Sequence, residues 1–149
     1  MKTKFELRFF VMTTTFIGLI FLSSFVFPNK EVMMLKLNFL GLDDEKESHV
    51  MIAVYKDSKS FLGDNPFKTF KVATRGKTSF SHEIDMPTGI YGLALFQDLN
   101  GDEKMNKNFL GIPTEPYAFS NNAPATFGPP KWKEAVFEFK TERSMDIRF

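Results

Sequence analysis

Cysteine is absent from this sequence of 149 residues, and histidine occurs only twice, as His49 and His82. Without cysteine there is no disulfide bond, no thiolate metal site, no cysteine nucleophile and no lipidated N-terminal cysteine. Two histidines leave few choices of catalytic base and nothing that resembles a histidine-based metal site. The chain must therefore rely on its core, and about 120 residues suffice if two sheets pack on each other.

The sequence also lacks an excess of charge. Its formal net charge is +1; residues 1–27 hold three basic and one acidic residue, so the remainder has 16 basic and 17 acidic residues, a net charge of −1. No long basic run is present, and the short stretch around Lys131 and Lys133 is too small to follow a phosphate backbone. We therefore expect no nucleic-acid partner.

The N terminus carries an uncharged apolar run of 19 residues, 9–27, which follows the basic residues Lys2, Lys4 and Arg8. This arrangement is typical of an export signal (a signal peptide), and the run is also long enough for an uncleaved N-terminal anchor. Both interpretations place residues 28–149, predicted as one domain, outside the cytoplasm: in the periplasm, at the cell surface or secreted. Membrane contact is expected only through residues 9–27, if they are retained.

From residue 32 onward apolar and polar residues alternate, which is the pattern of strands with one buried face. The apolar positions are rich in Val, Ile, Phe and Tyr, and Gly, Pro, Asn and Asp separate the runs. The runs are 32–40, 49–57, 67–75, 78–85, 90–97, 135–142 and 144–149. No segment has a convincing helical period. The sequence predicts an all-β fold, a single β-sandwich of about seven strands.

A Pro–Gly turn precedes Tyr91 in the segment MPTGIY, residues 86–91. Sandwich domains often fix such a corner with a hydrogen bond from a tyrosine hydroxyl to nearby backbone. The alternative is that Tyr91 merely lies half-buried in a strand. The sequence leaves both open.

The connection from Asp98 to about Glu134 is longer than 30 residues, and connections of that length are usually functional or disordered. Its first part places oxygen-bearing groups at alternate positions, a spacing that can surround a calcium ion. The candidate ligands are the side chains of Asp98, Asn100, Asp102 and Asn106 and the backbone carbonyl of Lys104. With two formal charges among these side chains, binding is expected to be weak.

The match to the helix-flanked calcium loop is incomplete, because Glu103 and Phe109 stand where that template has glycine and glutamate. The missing ligand would have to come from Asn108 or Glu115. The alternative needs no metal: Asn100–Gly101 is a strong turn dipeptide, and Asp and Asn side chains bond their own backbone in turns. Both interpretations stay open.

The second part of the connection is rich in proline and aromatic residues. Tyr117, Phe119 and Trp132 could present a stacking platform for an envelope carbohydrate or peptide. They could equally fold inward as a lid over one open end of the sandwich.

Catalytic patterns are weak. No nucleophile elbow and no glycine-rich phosphate loop is present. The alternative to a binding or structural module is a hydrolase that uses loop carboxylates, namely Asp98, Asp102 or Glu115, as acid and base. A purely structural envelope subunit is the remaining possibility. We expect a non-enzymatic module with no cofactor other than calcium.

The segment from Pro87 to Phe139 resembles a family of exported bacterial domains known as domain of unknown function 2141. The resemblance lies in an ordered series of short motifs: Pro-x-Gly-x-Tyr, Asp-x-Asn, Gly-Ile-Pro-Thr-Glu, Phe-Ser-Asn-Asn and Gly-Pro-Pro. The matching residues are Pro87, Gly89, Tyr91, Asp98, Asn100, Gly111 to Glu115, Phe119 to Asn122, Gly128 to Pro130 and Ala135. The resemblance implies an exported sandwich of transthyretin-like or immunoglobulin-like type, without an established activity.

The sequence departs from the family pattern at three positions of the loop. Gln97 replaces a histidine, Glu103 replaces a glycine, and Asn106 replaces an aspartate. The first change removes any role of an imidazole, and the other two weaken the calcium interpretation for this member.

Overall fold

The computed structural model describes residues 31–44 and 48–149. The predicted export segment, residues 1–27, lies outside the described residues. The strands are β1 Val32–Leu40, β2 His49–Tyr55, β3 Lys68–Ala73, β4 Ser79–Pro87, β5 Gly89–Asp98, β6 Tyr117–Phe119, β7 Phe137–Phe139 and β8 Arg143–Arg148. A 3₁₀ helix, Ser120–Asn122, follows β6, and one turn of α-helix, α1 Trp132–Ala135, precedes β7.

The strands form two sheets. One has three strands in the order β4-β1-β8, with β1 antiparallel to β4 and parallel to β8. The other has the order β3-β2-β5-β6, and β7 pairs with β5 beside β6. The predicted all-β sandwich is therefore confirmed.

Alternation along the strands explains why the two sheets pack. In β1, Leu35, Leu37 and Phe39 are fully buried, whereas the intervening residues are partly exposed. The same face-to-face pattern in β2 and β5 supplies Val50, Ile52, Val54, Leu93 and Leu95 to one shared apolar core. Because side chains alternate between faces with period two, this pattern fixes the register of each strand.

The corner before β5 takes the hydrogen-bonded form. The Tyr91 hydroxyl donates to the carbonyl of Pro87 at 2.9 Å, and the ring is buried. A Cβ on Gly89 would stand 2.9 Å from that hydroxyl oxygen, so a glycine is needed for the ring to lie there. Burial raises the pKa of Tyr91 above its ordinary value, so the donor stays protonated at neutral pH.

Two short elements differ from the sequence prediction. β6 was not predicted, and the expected strand at 135–142 is shortened to Phe137–Phe139 because α1 occupies the residues before it. β6 and β7 have three residues each and α1 has four, which is too few for a periodic signal in the sequence. Within the described ranges no helix is both long enough and apolar enough to span a membrane.

The two ends of the sandwich carry different features. β1 starts at Val32, opposite Pro87, and finishes at Leu40, opposite Ser79. Near this second end lie β2's first residue, His49, and its partner Asp98. We call this the upper end, comprising residues 41–44, 48, 74–78 and 98–116. The long connection predicted to be functional therefore leaves the sandwich at the end opposite to Val32.

Candidate functional site

The upper end is tied together by a buried polar network below the long connection. Gln97 is fully buried: its Nε2 donates to the carbonyl of Asp43 and to Ser48 Oγ, both at 2.7 Å, and its Oε1 accepts the N–H of Asp43 at 2.8 Å. Ser48 and Thr74 bond to each other through their hydroxyls and backbone. Each polar group is satisfied, so the network anchors the neighbouring loops to β5 without an unpaired buried group.

The loop from Asp98 to Pro116, hereafter the β5–β6 loop, starts with a carboxylate that is turned inward. Asp98 is fully buried; its Oδ1 accepts the N–H of Gly101 at 2.7 Å and its Oδ2 accepts the N–H of Glu103 at 3.1 Å. Gly101 and Glu103 both have left-handed backbone, with φ of 79° and 62°. The Asp98 side chain thus organises the first turn of the loop, as Asp does in many turns.

A second buried carboxylate closes the loop. Glu115 is 7% exposed, and its two oxygens accept the N–H groups of Leu99 and Asn106, each at 3.0 Å. It therefore joins the beginning, the middle and the end of the loop. The carbonyl of Asn106 also accepts the N–H of Thr114 at 2.9 Å, which brings the two arms together.

Three of the predicted calcium ligands meet on the outer side of the loop. Asn100 Nδ2 donates to Asp102 Oδ2 at 3.1 Å and to Asn106 Oδ1 at 3.0 Å, and Asn106 Nδ2 donates to Asp102 Oδ2 at 3.0 Å. The N–H of Lys104 donates to Asp102 Oδ1 at 2.8 Å. The hydrogen bond from Asn106, then that from the Lys104 backbone, and then that from Asn100 hold the pKa of Asp102 below its ordinary value.

These contacts allow a test of whether the loop fits a calcium ion. Asn100, Asp102 and Asn106 bring their side-chain ends together, but each Asn turns its NH₂ group toward a neighbour. Calcium accepts only oxygen ligands, so both amides would have to be turned over. Across the described ranges, no three or more His, Cys, Asp or Glu side chains are grouped so that they could hold a metal ion. These side chains could therefore bind calcium weakly through their oxygen atoms, but they do not form a high-affinity site.

The outermost part of the loop exposes apolar side chains. Asn108 Oδ1 accepts the N–H groups of Leu110 and Ile112, and the N–H of Asn108 donates to the carbonyl of Ile112 at 2.9 Å. In this closed turn Phe109 is 95% exposed, Leu110 68% and Ile112 55%. We call these three residues the apolar tip. Exposed apolar side chains that are contiguous in this way are unusual and typical of binding surfaces.

The three predicted ligand-contacting aromatics lie below the tip and pack against the protein. Phe119 is buried, and its ring stands edge-on to that of Tyr117, with centroids 5.9 Å apart. Trp132 packs edge-on to Phe61 at 5.4 Å. A Cβ on Gly92 would approach Trp132 Cζ3 to 2.7 Å, so the indole lies directly on β5. Their role in ligand binding stays a prediction; their present contacts are packing contacts with β5, at Gly92 and Ala94, and with Phe61.

The Ser-Asn-Asn segment joins both sheets through side-chain hydrogen bonds. Ser120 Oγ donates to the carbonyl of Ala135 at 2.5 Å and accepts the N–H of Leu93 at 2.8 Å. Asn121 Nδ2 donates to the carbonyls of Glu134 and Val136. Asn122 bonds the carbonyl of Asp146 and the N–H of Arg148 on β8. The motif thus has a structural role: it fastens the connection to the sandwich.

Comparison with known proteins identifies the family. The profile of a family described as an uncharacterized protein conserved in bacteria, domain of unknown function 2141, matches residues 41–148. This chain belongs to that family. No curated protein and no solved structure matches it. The matched region contains every strand of both sheets except β1, together with the whole β5–β6 loop.

The structure gives physical reasons for two departures from the family pattern. Gln97 offers one acceptor and two donors at a fully buried position, and all of them are used. A neutral imidazole has only one donor and one acceptor. At Glu103 the left-handed backbone explains the glycine of the family; here the glutamate instead forms an ion pair with Lys71 at 2.6 Å.

The apolar tip was not predicted from the sequence, in which Phe109 was considered as the residue at the glutamate position of the calcium template. A signal exists: Asn108 and Gly111, both turn formers, enclose the apolar pair Phe109 and Leu110. Apolar residues at the centre of a tight turn do not belong to a strand or helix face that packs on the core, so their side chains are expected to be exposed.

Proposed function

We propose that this protein is an exported, non-catalytic binding or structural module, in which the β5–β6 loop is the binding element. One observation carries the proposal: the loop buries two of its four carboxylates, which hold its backbone, and exposes three apolar side chains at its outer turn. Asp98 and Glu115 are buried and bonded to backbone N–H groups, whereas Phe109, Leu110 and Ile112 face solvent. A loop held this firmly loses little conformational entropy when a partner covers its tip.

The same contacts favour a binding role over hydrolysis. A general acid near neutral pH needs a carboxyl group with a raised pKa. The pKa of Asp102 is instead lowered by its hydrogen bonds with Asn106, Lys104 and Asn100. Asp98 and Glu115 each use both oxygens to hold backbone N–H groups, so a role in proton transfer would release the loop.

Binding of the purified chain to immobilised envelope carbohydrates, peptides and lipids tests the proposal. We expect the double substitution Phe109→Ser/Leu110→Ser to abolish binding while the melting temperature stays unchanged. Phe127→Ser is the matched control, because Phe127 is also fully exposed but lies in a different loop. Equal binding by the tip variant, or binding lost only with Tyr117→Ala or Trp132→Phe, would move the function to the aromatic residues.

A weak calcium site in the same loop is the second candidate. The observation that favours it is the convergence of Asn100, Asp102 and Asn106 beside Asp98, since calcium would receive several oxygens from one short segment once the amides turn. In this role the ion would stiffen the loop from which the apolar tip projects.

A thermal melt after chelation, with calcium then titrated back, tests this second candidate. Calcium bound to the native state alone raises the melting temperature as its concentration passes the dissociation constant. We expect the rise only at millimolar calcium and none in Asp102→Asn, which retains the shape of the side chain. An unchanged melting temperature over the whole range would show that the Asp/Asn spacing is turn chemistry alone.

A further inference from the structure

Within residues 104–114, which include the apolar tip, the charged side chains have one sign. Lys104 and Lys107 precede the tip, are exposed, and no acidic residue lies between Lys104 and Thr114. The nearest acidic side chain before them, Glu103, is paired with Lys71. The inward carboxylates Asp98 and Glu115 are engaged with backbone N–H groups below. Asp102 is exposed as well, and its carboxylate accepts hydrogen bonds from Asn100, Asn106 and the Lys104 N–H. Residues 104–114 therefore combine three apolar side chains with two lysines and no acidic residue.

The tip is also ordered without a partner. Asn108 holds the N–H groups of Leu110 and Ile112, the N–H of Gly111 donates to the carbonyl of Asn108 at 2.9 Å, and Lys107 pairs with Pro113 across the turn. Few backbone N–H groups of the turn are left without an acceptor. This matters for a surface that is transferred from water into an apolar medium, because an N–H group without a hydrogen-bond acceptor there raises the free energy of transfer.

We propose that the apolar tip inserts into the interfacial region of a lipid bilayer that carries anionic headgroups, with Lys104 and Lys107 at the headgroups. The inference rests on the proposed function of the β5–β6 loop and names its partner. Apolar side chains with flanking lysines are the combination that binds such interfaces, the first through burial and the second through attraction to anionic lipid. The sequence predicts membrane contact through residues 9–27 alone; the tip would be a second and independent contact.

A bilayer fits these observations better than a pocket in a protein partner. Phe109 is almost fully exposed and projects from the surface, as a side chain that enters a bilayer must, and the two lysines beside it match anionic headgroups. The lysine side chains can extend toward headgroups while their stems cover apolar surface. The tip also lies at the end opposite to Val32, so β1, nine residues long, separates it from the start of the described domain by roughly 30 Å. The tip can therefore meet a surface other than one contacted through residues 9–27.

The test uses a fluorescent reporter in the full chain, so that any binding through residues 9–27 does not obscure the result. Phe109→Trp places a reporter at the tip, and Phe127→Trp places one at a matched exposed position elsewhere. Both are mixed with phosphatidylglycerol-containing vesicles and with phosphatidylcholine vesicles, each prepared with brominated lipid as quencher. We expect a blue shift and quenching for Phe109→Trp with the anionic vesicles only, and no change beyond the Trp132 background for Phe127→Trp.

The lysines provide the second comparison. Lys104→Gln/Lys107→Gln, combined with Phe109→Trp, should lose most of the quenching, and the loss should resemble the effect of high salt on the parent reporter. Equal quenching in both kinds of vesicle, equal quenching of both reporters, or no quenching at all would overturn the proposal. A blue shift that appears without vesicles and grows with protein concentration would identify a second copy of the chain as the occupant and would overturn it as well.

The failures of the two proposals are distinguishable. If the vesicle experiment fails while Phe109→Ser/Leu110→Ser still abolishes binding to a carbohydrate or peptide, the loop is the binding element and only the lipid partner is wrong. If neither experiment depends on the tip, both proposals fall together.

Discussion

The connection between β5 and α1 consists of two parts that are built in opposite ways. In residues 98–116, buried Asp98 and Glu115 hold the backbone and apolar side chains face solvent. In residues 117–131, Phe119 is buried and side chains of the Ser-Asn-Asn segment fasten the chain to both sheets. Both parts are ordered without long regular elements, but the first is held by hydrogen bonds to buried carboxylates and the second by a buried aromatic ring and the Ser-Asn-Asn side chains.

The difference separates a structural part from a candidate binding part. Ordering a loop requires contacts that outweigh its conformational entropy, and packed aromatics or satisfied hydrogen bonds can both supply them. Because hydrogen bonds to buried carboxylates order the first part, folding does not require the exposed side chains of Phe109, Leu110 and Ile112 to pack. They remain available for a partner, which is why the apolar tip rather than the aromatic residues is the stronger candidate.

The largest expected effect contrasts two phenylalanines, one from each part. Phe119→Ala should lower the free energy of unfolding by about 3 kcal/mol, because a buried ring is removed and a cavity remains. Phe109→Ala should change it by less than about 0.5 kcal/mol, since that ring is in solvent. Urea denaturation of the two variants measures both values.

Equal losses for the two variants would contradict this contrast. If Phe109→Ala were as destabilising as Phe119→Ala, the tip would pack against the protein in solution, and its role as a free binding surface would be excluded. Unchanged m-values in both variants are required for the comparison, because they show that the surface exposed on unfolding is the same.

The second prediction tests the hydrogen-bonded core of the first part. Glu115→Ala removes the acceptor of two backbone N–H groups, those of Leu99 and Asn106, and should cost about 2 kcal/mol. Glu138→Ala is the control, because Glu138 is exposed and only forms a surface pair with Lys140. Hydrogen exchange should show faster exchange at Leu99 and Asn106. An effect as small as that of the control would mean that water replaces the carboxylate without loss.

Much of the fold could be predicted because alternation was present wherever a strand had five or more residues. The missed strand, β6, has three residues and follows Pro116; it is placed by pairing with β5 and by the hydrogen bond from the Gln97 N–H to the Pro116 carbonyl. Such pairing depends on tertiary contacts, which the pattern of apolar and polar residues within a short segment does not predict. The Tyr91 corner was recognisable because a Pro–Gly turn and a tyrosine stood at a known spacing, and that alternative is confirmed.

The site was only partly predictable. Spacing alone identified Asp98, Asn100, Asp102 and Asn106 as one group, and the structure does bring the last three together. Spacing could not show that Asp98 and Glu115 are buried, because Glu115 reaches Leu99 only after the two arms of the loop pair. The exposure of Phe109 is different, because the turn formers Asn108 and Gly111 on either side of Phe109 and Leu110 do indicate it.

A smaller effect is expected at Glu103, whose backbone has a φ of 62°. Glu103→Gly removes the left-handed strain of about 1–2 kcal/mol, but it increases the entropy of the unfolded chain by the equivalent of about 0.4–1 kcal/mol and removes a surface ion pair with Lys71. The ion pair contributes about 0.2–1 kcal/mol. The midpoints of these ranges leave a stabilisation of about 0.2 kcal/mol, so the free energy of unfolding should change little. Lys71→Ala measures the contribution of the ion pair separately. If Glu103→Gly lowers the free energy of unfolding by more than Lys71→Ala does, the backbone strain at Glu103 is negligible.

The smallest effect is a local pH response in the first part that the second part lacks. Hydrogen bonds from Asn106, Lys104 and Asn100 lower the pKa of Asp102 from its ordinary value of 3.8. A lowered pKa means that the contribution of the carboxylate is fully present above pH 3.8 and is lost as pH falls through the lower value of the folded state. NMR titration of the Asn100 and Asn106 side-chain amides should therefore give a midpoint below 3.8, and Asp102→Asn should abolish the transition. Because Asp102 is exposed, the melting temperature should barely respond. A midpoint at or above 3.8 would show that the three hydrogen bonds do not persist in solution, and the order of the outer loop would then depend on Asp98 and Glu115 alone.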